Sequence, residues 1–568
     1  MKRIVKAVSA LLILTASVTS AGGLSFIHGD VNGDGAVNNK DVMTLFRAVS
    51  SGEVIPGGRG DVNVDGAVNN KDVTALFKYV SGGDLPGVVY ADTFTVSRAF
   101  GDGMVIQRNE PVRIWGWAPS SENGKLIRAE FAGLYGTSRI ENGEWMITLN
   151  GTLGENTSGQ TLTVSGSGFE KRFEDVLVGD VYWVVGQSNI DYSVSVIKNE
   201  PLASSAGRNI RISNDMKIRL NRSYFGTDYA GLTQGTNDVN KDAVQPRGWE
   251  YPEHGALDFS AIGYFTAYQM YEKLGGTVPF GLIEFDGNGC ALHAFMPNEV
   301  RDTLGISTCN NGVYSAAGVN MHPSSFMYNH YMYAFQNMPV SGIIWYQGES
   351  DCQIANNNCF LYADRFAAMI TYYREKHNCI NHDYPVYIVE FPPIYTNFDY
   401  AQVRMNMGMI PTKLNNAHIC TSSDLWKDKT YANNLHPYNK WEISSRMSDI
   451  ILANAYGIGN IEDTEGPRAV SCTFSDGGRT ATVRFTNVGG GLEYTGTKLS
   501  GIKVITKDVW VDPLSVRIIS SDTIEIKTLT KMLWAGYNTA RSDSFPETLS
   551  LCSGTGVPSS AWQFSNLG

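Results

Sequence analysis

Short polar segments hold the side chains of this chain that could carry out covalent catalysis. Ser188 lies in Gly186-Gln-Ser-Asn189, directly after the apolar run Val181–Val185. A serine at such a position can act as a nucleophile if a base is placed to take its proton. The alternative is a polar turn after a core strand, the more common meaning of an isolated Gly-x-Ser. Other segments must therefore supply a base, a group that orients it, and donors for an oxyanion.

Three further polar segments follow apolar runs or precede a helical pattern. They are Asp286-Gly-Asn-Gly-Cys290, Trp345-Tyr-Gln-Gly-Glu-Ser-Asp351 and Asn433-Asn-Leu-His-Pro437. Strands alternate with helical patterns in this region, which predicts a parallel sheet with helices on both faces. Because ligands bind at the carboxyl edge of such sheets, we expect these segments to lie at the same edge as Ser188.

Hydrophobic periodicity predicts the elements that position these segments. The stretch from Lys198 to Asp258 is rich in Asn, Gly and Asp, and we expect a long loop over the site there. Short β runs with glycine turns predict small β-domains at residues 92–174 and 465–568. The predicted strands are Val181–Val185, Phe280–Phe285, Gly342–Tyr346, Val386–Glu390 and His418–Thr421, and the predicted helices are Ala261–Leu274, Ser325–Gln336, Phe360–Lys376 and Lys440–Tyr456.

Length and charge limit the class of protein. A chain of 568 residues is too long for one core, so several domains are expected. The hydrophobic content of 43% and the aromatic content of 11% are typical of a soluble globular protein. A net charge of -11 without a basic stripe argues against a nucleic-acid partner. It fits calcium and neutral sugars better.

The first 21 residues have the features of a secretory signal peptide. No later stretch has the roughly 18 uninterrupted apolar residues that a membrane span needs. We therefore predict an exported protein without a membrane partner; the alternative is a retained anchor. The charged start comprises Lys2, Arg3 and Lys6, the apolar stretch runs from Val8 to Val18, and Thr19-Ser-Ala21 offers small residues for cleavage.

The eight cysteines do not form a recognisable disulfide framework in a chain of this length. Cys352 could pair with Cys359, and Cys290 with Cys309; buried free thiols are the alternative. The sequence has no Cys-x-x-Cys and no His-x-x-x-His, so it gives no zinc signal.

A loop sequence near the N-terminus occurs twice, as Gly29–Val42 and as Gly60–Val73. Oxygen-bearing side chains fall at loop positions 1, 3, 5, 9 and 12, a glycine at position 6 allows the sharp turn, and an alanine at position 7 offers its carbonyl. This is the ligand pattern that calcium requires, with Asp instead of Glu at position 12. Each copy thus predicts one calcium ion. The ligands are Asp30, Asn32, Asp34, Ala36, Asn38 and Asp41 in the first loop and Asp61, Asn63, Asp65, Ala67, Asn69 and Asp72 in the second, with Gly35 and Gly66 at the turns.

Each loop leads into a short amphipathic helix, and no incoming helix precedes the first loop. Two such loop–helix copies resemble a dockerin over residues 28–87. The resemblance implies two structural calcium ions, a cohesin domain of a scaffoldin as partner, and extracellular attachment to a cellulosome. The alternative is a calcium-stabilised module without a partner. The apolar positions are Val42, Leu45, Phe46 and Val49 in the first helix and Val73, Leu76, Phe77 and Val80 in the second.

The polar segments together resemble the sialate O-acetylesterase-type carbohydrate esterases of the SGNH hydrolase superfamily. The resemblance covers residues 94–460. It implies a three-layer α/β/α domain with a parallel sheet at residues 175–460, removal of acetyl groups from sialate or acetylated xylan, and no cofactor for catalysis. The matching motifs are Gly186–Asn189, Gln347-Gly-Glu-Ser350 and Leu435-His-Pro437 with Lys440, supported by Phe100–Arg108, Trp115–Trp117 and Phe259–Phe265.

The resemblance also implies a mechanism, acyl transfer through an acetyl-serine. Ser188 would attack the acetyl carbonyl, and His436 would take the serine proton and later protonate the departing sugar hydroxyl. Water would then hydrolyse the intermediate. The oxyanion would be held by the backbone N–H of Ser188, a backbone N–H of the Gly287–Gly289 turn, assigned to Gly289, and the side chain of Gln347.

The sequence departs from the family pattern in two places. Asn433 and Asn434 stand where an aspartate usually precedes His-Pro, and asparagine cannot stabilise an imidazolium as a carboxylate does. By resemblance to acetylxylan esterases, Glu349 is the predicted third catalytic residue; its alternative role is a structural hydrogen bond under the oxyanion loop. Asn288 stands where a Gly-Gly pair is usual. The lesser candidates for the carboxylate are Asp351 and Asp424.

These features predict a secreted carbohydrate O-acetylesterase that its dockerin attaches to a cellulosome. A hypothesis of a different class is a non-catalytic glycan-binding protein with a degenerate esterase domain. The two asparagines before His436 are the evidence for that second hypothesis. Release of acetate, and its loss on Ser188→Ala, separates the two.

Overall fold

The chain forms two compact units, one ending at Val89 and the other beginning at Tyr90. The predicted signal peptide, Gly35, Asp65, Gly66, Cys309, Asn433 and Asn434 lie outside the residues that the structure describes. The structure, a computed structural model, describes residues 29–34, 36–55, 59–63, 67–81, 93–166, 168–201, 203–222, 248–306, 324–352, 358–377, 379–393, 400–425, 435–539 and 549–566.

The described part of the first unit contains two helices, α1 (Asn39–Ser51) and α2 (Asn70–Val80). Asn38 caps α1 and its own N–H donates to Asp41 Oδ2 at 2.8 Å. The same capping box recurs at α2, which shows that the repeat in sequence is a repeat in structure. The hydrophobic core of the first unit comprises Val31, Leu45, Val62, Ala75 and Leu76.

Short antiparallel strands open the second unit. The first sheet joins β1, β3 and β6, where buried Trp115 and Trp145 pack in the core. A second group pairs β4 with β5 and β7. The strands are β1 (Thr95–Val96), β2 (Val105–Gln107), β3 (Arg113–Trp117), β4 (Leu126–Phe131), β5 (Leu134–Arg139), β6 (Glu144–Thr148) and β7 (Asn156–Gly166).

A mixed sheet forms the centre of the second unit. Its strands are β8 (Phe169–Gly186), β9 (Ile218–Arg222), β10 (Trp249–Glu250), β11 (Phe280–Asp286), β12 (Gly342–Tyr346), β13 (Val386–Glu390) and β14 (Ala417–Thr421). The order is β10-β9-β11-β8-β12-β13-β14, and every neighbouring pair except β10 with β9 is parallel. Asp286, Gly186 and Tyr346 are in register across β11, β8 and β12. These three strands therefore end at the same edge, as predicted.

One long strand connects the antiparallel part to this sheet. The first half of β8 pairs with β7, and its second half lies between β11 and β12. The predicted domain limit at residue 174 falls inside β8. The β-rich part and the parallel sheet consequently share a continuous backbone and one hydrophobic core.

The prediction of a loop across Lys198–Asp258 is wrong for part of that stretch, because β9 is a buried strand of the central sheet. The polar residues of β9 interrupt the apolar pattern by which a buried strand is recognised in a sequence. Arg219 is only 1% exposed; its guanidinium pairs with Asp175 at 3.1 Å and lies over the Tyr251 ring at 4.3 Å. A paired and stacked arginine can be buried, so the stretch forms a strand despite its charge.

The helices of the second unit follow the predicted periodicity closely. The helix Lys440–Tyr456 has the predicted limits and packs against the helix Ala261–Lys273. The predicted α-helix at Ser325–Gln336 is instead a π-helical turn, Tyr328–Met332, followed by a 3₁₀ turn, Tyr333–Phe335. The helices are α3 (Ser188–Asp191), α4 (Val194–Asn199), α5 (Ser205–Arg208), α6 (Pro252–Gly255), α7 (Ala261–Lys273), α8 (Leu292–Phe295), α9 (Asn298–Thr303), α10 (Tyr362–Lys376), α11 (Tyr400–Met409), α12 (Lys440–Tyr456) and α13 (Ile461–Thr464).

Antiparallel sheets with a core of their own close the chain, as predicted. They attach to the central part through buried polar contacts: Glu390 Oε2 accepts from Ala561 N at 2.9 Å, and Arg404 Nη2 donates to Asn538 O at 2.8 Å. The strands are β15 (Arg468–Ser475), β16 (Thr480–Thr486), β17 (Leu492–Tyr494), β18 (Ile502–Ile505), β19 (Trp510–Val511), β20 (Ser515–Ser520), β21 (Thr523–Lys527), β22 (Trp534–Tyr537), β23 (Leu551–Ser553) and β24 (Trp562–Ser565).

Two negative findings concern the described part of the chain. No helix there has both the length and the apolar character to cross a membrane. No disulfide joins Cys352 to Cys359 among these residues, and Cys309, the suggested partner of Cys290, lies outside them.

Candidate active site

The turn after β8 presents Ser188 at the carboxyl edge of the sheet. Ser188 is the first residue of α3, and its side chain is partly exposed. Gly186 allows β8 and β12 to approach, because a Cβ on this residue would lie 2.1 Å from the Tyr346 carbonyl oxygen. The glycine therefore permits the strand end from which Ser188 projects.

His436 lies against Ser188. Its Nε2 is 2.7 Å from Ser188 Oγ, a hydrogen-bond distance, and the Tyr192 ring stacks on the imidazole at 5.0 Å. Burial and the nearby Lys440 ammonium lower the pKa of His436 to about 4, against the opposing effect of Asp191. At neutral pH the imidazole is therefore uncharged and able to accept a proton from the serine.

The side chain of Asn189 separates Glu349 from Ser188 and His436. Glu349 Oε1 accepts from Asn189 Nδ2 at 2.5 Å, and among the described residues its Oε2 has no hydrogen-bond partner. The predicted direct contact with His436 is thus absent from the described structure. Asn189 also donates to the Leu435 carbonyl at 3.0 Å, so Glu349 is linked to the histidine segment through this asparagine.

The lesser carboxylate candidates have other partners. Asp424 forms two hydrogen bonds with Arg446, at 2.7 Å and 2.6 Å. Asp351 accepts from Gln347 Nε2 at 2.7 Å and from Leu292 N at 2.9 Å. Both side chains are engaged in holding neighbouring segments.

Lys440 is a fully buried lysine on the far side of Asn189. Its Nζ donates to Asn189 Oδ1 and lies 4.9 Å from the centre of the Tyr346 ring. Burial lowers the pKa of Lys440 to about 7, and burial raises that of Glu349 to about 7. The sequence predicted no role for Asn189 or Lys440, although both belong to the motifs that carried the resemblance.

The turn Gly287–Cys290 flanks Ser188 on the β11 side. Gly287 N donates to the Gly186 carbonyl at 3.0 Å, which ties the turn to the end of β8. Gly289 has a φ of 74°, a left-handed conformation that glycine adopts without strain. The turn is therefore placed so that its backbone N–H groups can donate hydrogen bonds to a group bound at Ser188.

The Gln347 side chain supports this turn from behind. It is fully buried, and its Nε2 donates to the Cys290 carbonyl at 3.0 Å as well as to Asp351. Tyr362 donates to Gln347 Oε1 at 3.0 Å. In this conformation the amide hydrogens are directed at protein acceptors, so a direct contact with an oxyanion would require one of them to turn away.

A cluster of charges holds the outer side of the same turn. Asn288 Nδ2 donates to Asp191 Oδ2 at 2.7 Å, which gives this departure from the usual glycine a structural role. Arg222 Nη2 contacts Asp191 at 2.5 Å and Asp286 at 3.2 Å, and Glu284 lies 3.8 Å from Arg222 Nε. Burial raises the pKa of Asp286 to about 7 and that of Glu284 well above its usual value. The Arg222 guanidinium, together with protons retained by the carboxyl groups, thus balances the negative charge of these three neighbouring side chains.

The N-terminal loops have the donors that calcium needs. Asp30, Asp41 and Asp72 are buried, with exposed fractions of 3%, 0% and 0%. Asp41 accepts from Asn32 N at 3.1 Å, so the loop folds around this carboxylate. Carboxylates buried in loops of this ligand pattern are expected to be paired or to coordinate a metal. The described ligand positions therefore fit the predicted ions; Asp65 lies outside the described residues.

Both helices of the first unit expose apolar side chains. Met43, Phe46 and Phe77 are 49%, 49% and 57% exposed. Phe46 and Phe77, two of the apolar positions of the amphipathic helices, therefore do not pack in the unit's core. A depression of about 450 Å³ between the helices is lined by Asn39, Val42, Met43, Phe46, Val73, Thr74 and Phe77.

Comparison with known families identifies two parts of the chain. Residues 28–81 match the family described as Dockerin type I domain. Residues 262–443 match the family described as Carbohydrate esterase, sialic acid-specific acetylesterase. The second match includes Gln347, Glu349 and His436 but begins after Ser188.

Curated relatives and a solved structure extend the similarity. The sialate O-acetylesterase of Pongo abelii is 25% identical over 422 residues, covering 67% of this chain and 76% of that protein. The human sialate O-acetylesterase is 26% identical over 318 residues, covering 53% of this chain and 57% of that protein. A carbohydrate acetylesterase from Xanthomonas citri superposes with a TM-score of 0.66 at 21% identity, covering 84% of this chain and 100% of that one. The Xanthomonas citri structure therefore has the same fold as this chain.

Proposed function

The chain joins a type I dockerin domain to an esterase domain of the sialic acid-specific acetylesterase type, and on that premise we propose that it removes O-acetyl groups from glycans through an acetyl-Ser188 intermediate. The observation that carries the proposal is the distance of 2.7 Å between Ser188 Oγ and His436 Nε2 at the carboxyl edge of the sheet. A serine needs such a base, because its hydroxyl is a weak nucleophile at its ordinary pKa.

The proposed reaction has two halves. Ser188 Oγ attacks the acetyl carbonyl while His436 Nε2 takes its proton, and the histidine then protonates the departing sugar oxygen as the ester bond breaks. Water, deprotonated by the same histidine, attacks the acetyl-serine and releases acetate. Ser188 is regenerated when His436 returns the proton.

Developing negative charge on the carbonyl oxygen needs donors already in place. The backbone N–H of Ser188 and that of Gly289 belong to two segments that meet at the ends of β8 and β11. We assign the oxyanion to these donors, with Gln347 as the third predicted donor. Loss of one such donor typically costs about 10²- to 10³-fold in kcat.

Glu349 remains the proposed carboxylate of the reaction, but its described contact points to an indirect role through Asn189. We further propose that residues 175–460 have the three-layer α/β/α arrangement of SGNH hydrolases. The central sheet, with its parallel strands ending at one edge, is the structural support for that arrangement.

The substrate class is an acetylated carbohydrate. The related sialate O-acetylesterases point to acetylated sialic acid, whereas a dockerin points to plant cell walls and therefore to acetylated xylan. An acetate-release assay over a panel of both glycan classes, with Ser188→Ala beside the wild type, tests the proposal. Release of acetate by the wild type and none by Ser188→Ala is expected; absence of release from every acetyl ester by the wild type would end it.

We also propose that residues 1–21 direct export and that the dockerin, loaded with two calcium ions, binds a cohesin domain of a scaffoldin on a cellulosome. The exposed apolar surface formed by Met43, Phe46 and Phe77 supports a protein partner, since such side chains are costly to leave in water. Cohesin binding in calcium and its loss in chelator are expected. Binding that persists in chelator would contradict the proposal.

The alternative of a non-catalytic glycan-binding protein makes a different prediction. A degenerate domain would bind glycan but would not react with a serine-directed phosphonate. A serine and histidine at hydrogen-bond distance, both partly exposed, argue against degeneracy. Covalent labelling of the wild type and not of Ser188→Ala is therefore expected.

A further inference from the structure

Three segments that are distant in sequence meet at one buried side chain beside the nucleophile. Asn189 directly follows Ser188, and its side chain is fully buried. Its Nδ2 donates to Glu349 Oε1 at 2.5 Å and to the Leu435 carbonyl at 3.0 Å, and its Oδ1 accepts from Lys440 Nζ. Asn189 thus joins the nucleophile turn, the turn after β12, and the segment that carries His436.

We propose that Asn189 is the positioning residue that holds Ser188 and His436 in register, and that Glu349 and Lys440 act on the reaction through its side-chain amide. The inference rests on the proposed esterase function and deepens it. In this arrangement Glu349 acts on His436 through the Asn189 side chain and not through a hydrogen bond of its own to the histidine.

The chemistry of the three neighbours requires an amide at position 189. Glu349 Oε1 and the Leu435 carbonyl are both acceptors, whereas Lys440 Nζ is a donor, so the central group must donate on one side and accept on the other. An aspartate would satisfy Lys440 but would place an oxygen against two acceptors. A leucine of similar size would satisfy none of the three, and would leave buried polar groups unpaired.

Lys440 gives the arrangement its electrostatic effect. Its ammonium lies 5.4 Å from the centre of the Tyr192 ring and 4.9 Å from that of Tyr346, contacts that favour the charged form. Tyr192 in turn stacks on His436. A positive charge held here disfavours a second positive charge on the imidazole.

The charged and titratable groups around Asn189, Lys440 and His436 come from several elements. Lys440 faces Glu349 across Asn189 and the rings of Tyr346 and Tyr192. His436 is influenced by Lys440, which lowers its pKa, and by Asp191 of α3, which raises it. Because burial raises the pKa of Glu349 to about 7, this carboxyl is protonated in mild acid, where Lys440 is charged. In that range the lysine charge keeps His436 available as a base.

The test compares three variants in the full-length protein: Asn189→Leu, Lys440→Met and Glu349→Gln. Asn189→Leu is expected to lower kcat about 10²-fold with KM within about twofold, since a displacement of about 1 Å has that cost and the Asn189 side chain is fully buried. Lys440→Met is expected to lower kcat and to move the acid limb of kcat/KM to higher pH. A purely structural role would lower activity without moving that limb.

Glu349→Gln separates the indirect role from direct contact with His436. Glutamine keeps an oxygen that can accept from Asn189, so we expect a loss of less than about tenfold and an unmoved acid limb, because Glu349 is already protonated there. Loss of a carboxylate that touches the histidine typically costs about 10⁴-fold. A loss of that size in Glu349→Gln would overturn the inference.

The matched control is Lys413→Met, which removes an exposed lysine paired with Asp364 at 2.6 Å and should leave kcat and its pH profile unchanged. Thermal melting identifies a variant that has failed to fold; Asn189→Asp, which keeps size and the Lys440 contact, then replaces Asn189→Leu. Wild-type activity in kcat and pH profile for the Asn189 and Lys440 variants would overturn the inference while the esterase proposal stands. An inactive wild type would overturn both.

Discussion

Ser188 Oγ lies 2.7 Å from His436 Nε2, although 248 residues separate the two in sequence. The serine is held by the end of β8 and the histidine by the segment before α12. Around them, the Asn189 contacts hold the segment that carries His436, and the Arg222 contacts hold α3 and the end of β11 beside the turn Gly287–Cys290.

The pH profile should reflect the low pKa of His436. Burial and Lys440 lower this pKa to about 4, so the base is deprotonated at pH values well below the ordinary 6.5. We expect kcat/KM to stay near its maximum between about pH 5 and 7 and to fall as pH approaches about 4. Stopped acetate-release assays across this range give the midpoint. An acid limb centred near 6.5 would contradict the assigned environment of the histidine.

Arg222→Met should destabilise the protein strongly at neutral pH. The change leaves Asp191, Glu284 and Asp286 without their guanidinium, and removing one partner of a buried pair typically costs about 3–5 kcal/mol. Urea denaturation measures the free energy of unfolding.

The same experiment has an internal check and a control. The destabilisation should shrink in acid, because protonated carboxyls no longer need a counter-charge. Arg484→Met, which breaks an exposed pair with Asp522, should change little. A neutral-pH loss in Arg222→Met no larger than in that control would show that the cluster does not depend on the arginine.

Calcium should control the order of the first unit. Asp41 and Asp72 are buried carboxylates in loops with a small core, so chelation should unfold the unit and calcium should restore it. Circular dichroism during chelator and calcium titrations measures the change. Asp41→Ala should remove one binding event and leave the second loop's, and Arg47→Ala, at an exposed position of α1, serves as its control. A helical signal unaffected by chelator would contradict the calcium assignment.

His377 should make folding stability fall in acid. The side chain is 1% exposed and stacks between Tyr373 and Tyr384, and burial lowers its pKa to about 3. Since the unfolded chain binds the proton near pH 6.5 and the folded chain only near 3, the free energy of unfolding should drop by about 1.4 kcal/mol per pH unit between these values.

His377→Phe tests this contribution. The variant loses the hydrogen bond of 2.9 Å with Tyr384 at every pH, which costs about 1 kcal/mol, but it should lose about 2 kcal/mol less than the wild type between pH 6.5 and 5. Urea denaturation at both pH values gives the comparison. Equal pH dependence in the two proteins would exclude His377 as the source.

Much of the molecule could be predicted from local sequence. The strand at Val386–Glu390 and the helix at Lys440–Tyr456 have the predicted limits, because their apolar periodicity is strong and unbroken. The calcium loops are equally local, since all ligands of one ion lie within a dozen consecutive residues. Strand β9 was missed because burial of Arg219 depends on Asp175 and Tyr251, which no local pattern connects to it.

The sequence by itself determined the kinds of candidate catalytic groups and the edge of the sheet at which they gather, since parallel strands bring their carboxyl ends together. Tertiary structure alone decided how those groups contact one another. Glu349 stands behind Asn189, Gln347 points to the Cys290 carbonyl, and Asn288 reaches Asp191. Such choices depend on distances of a few tenths of an ångström between side chains from separate segments, and residue order does not encode those distances locally.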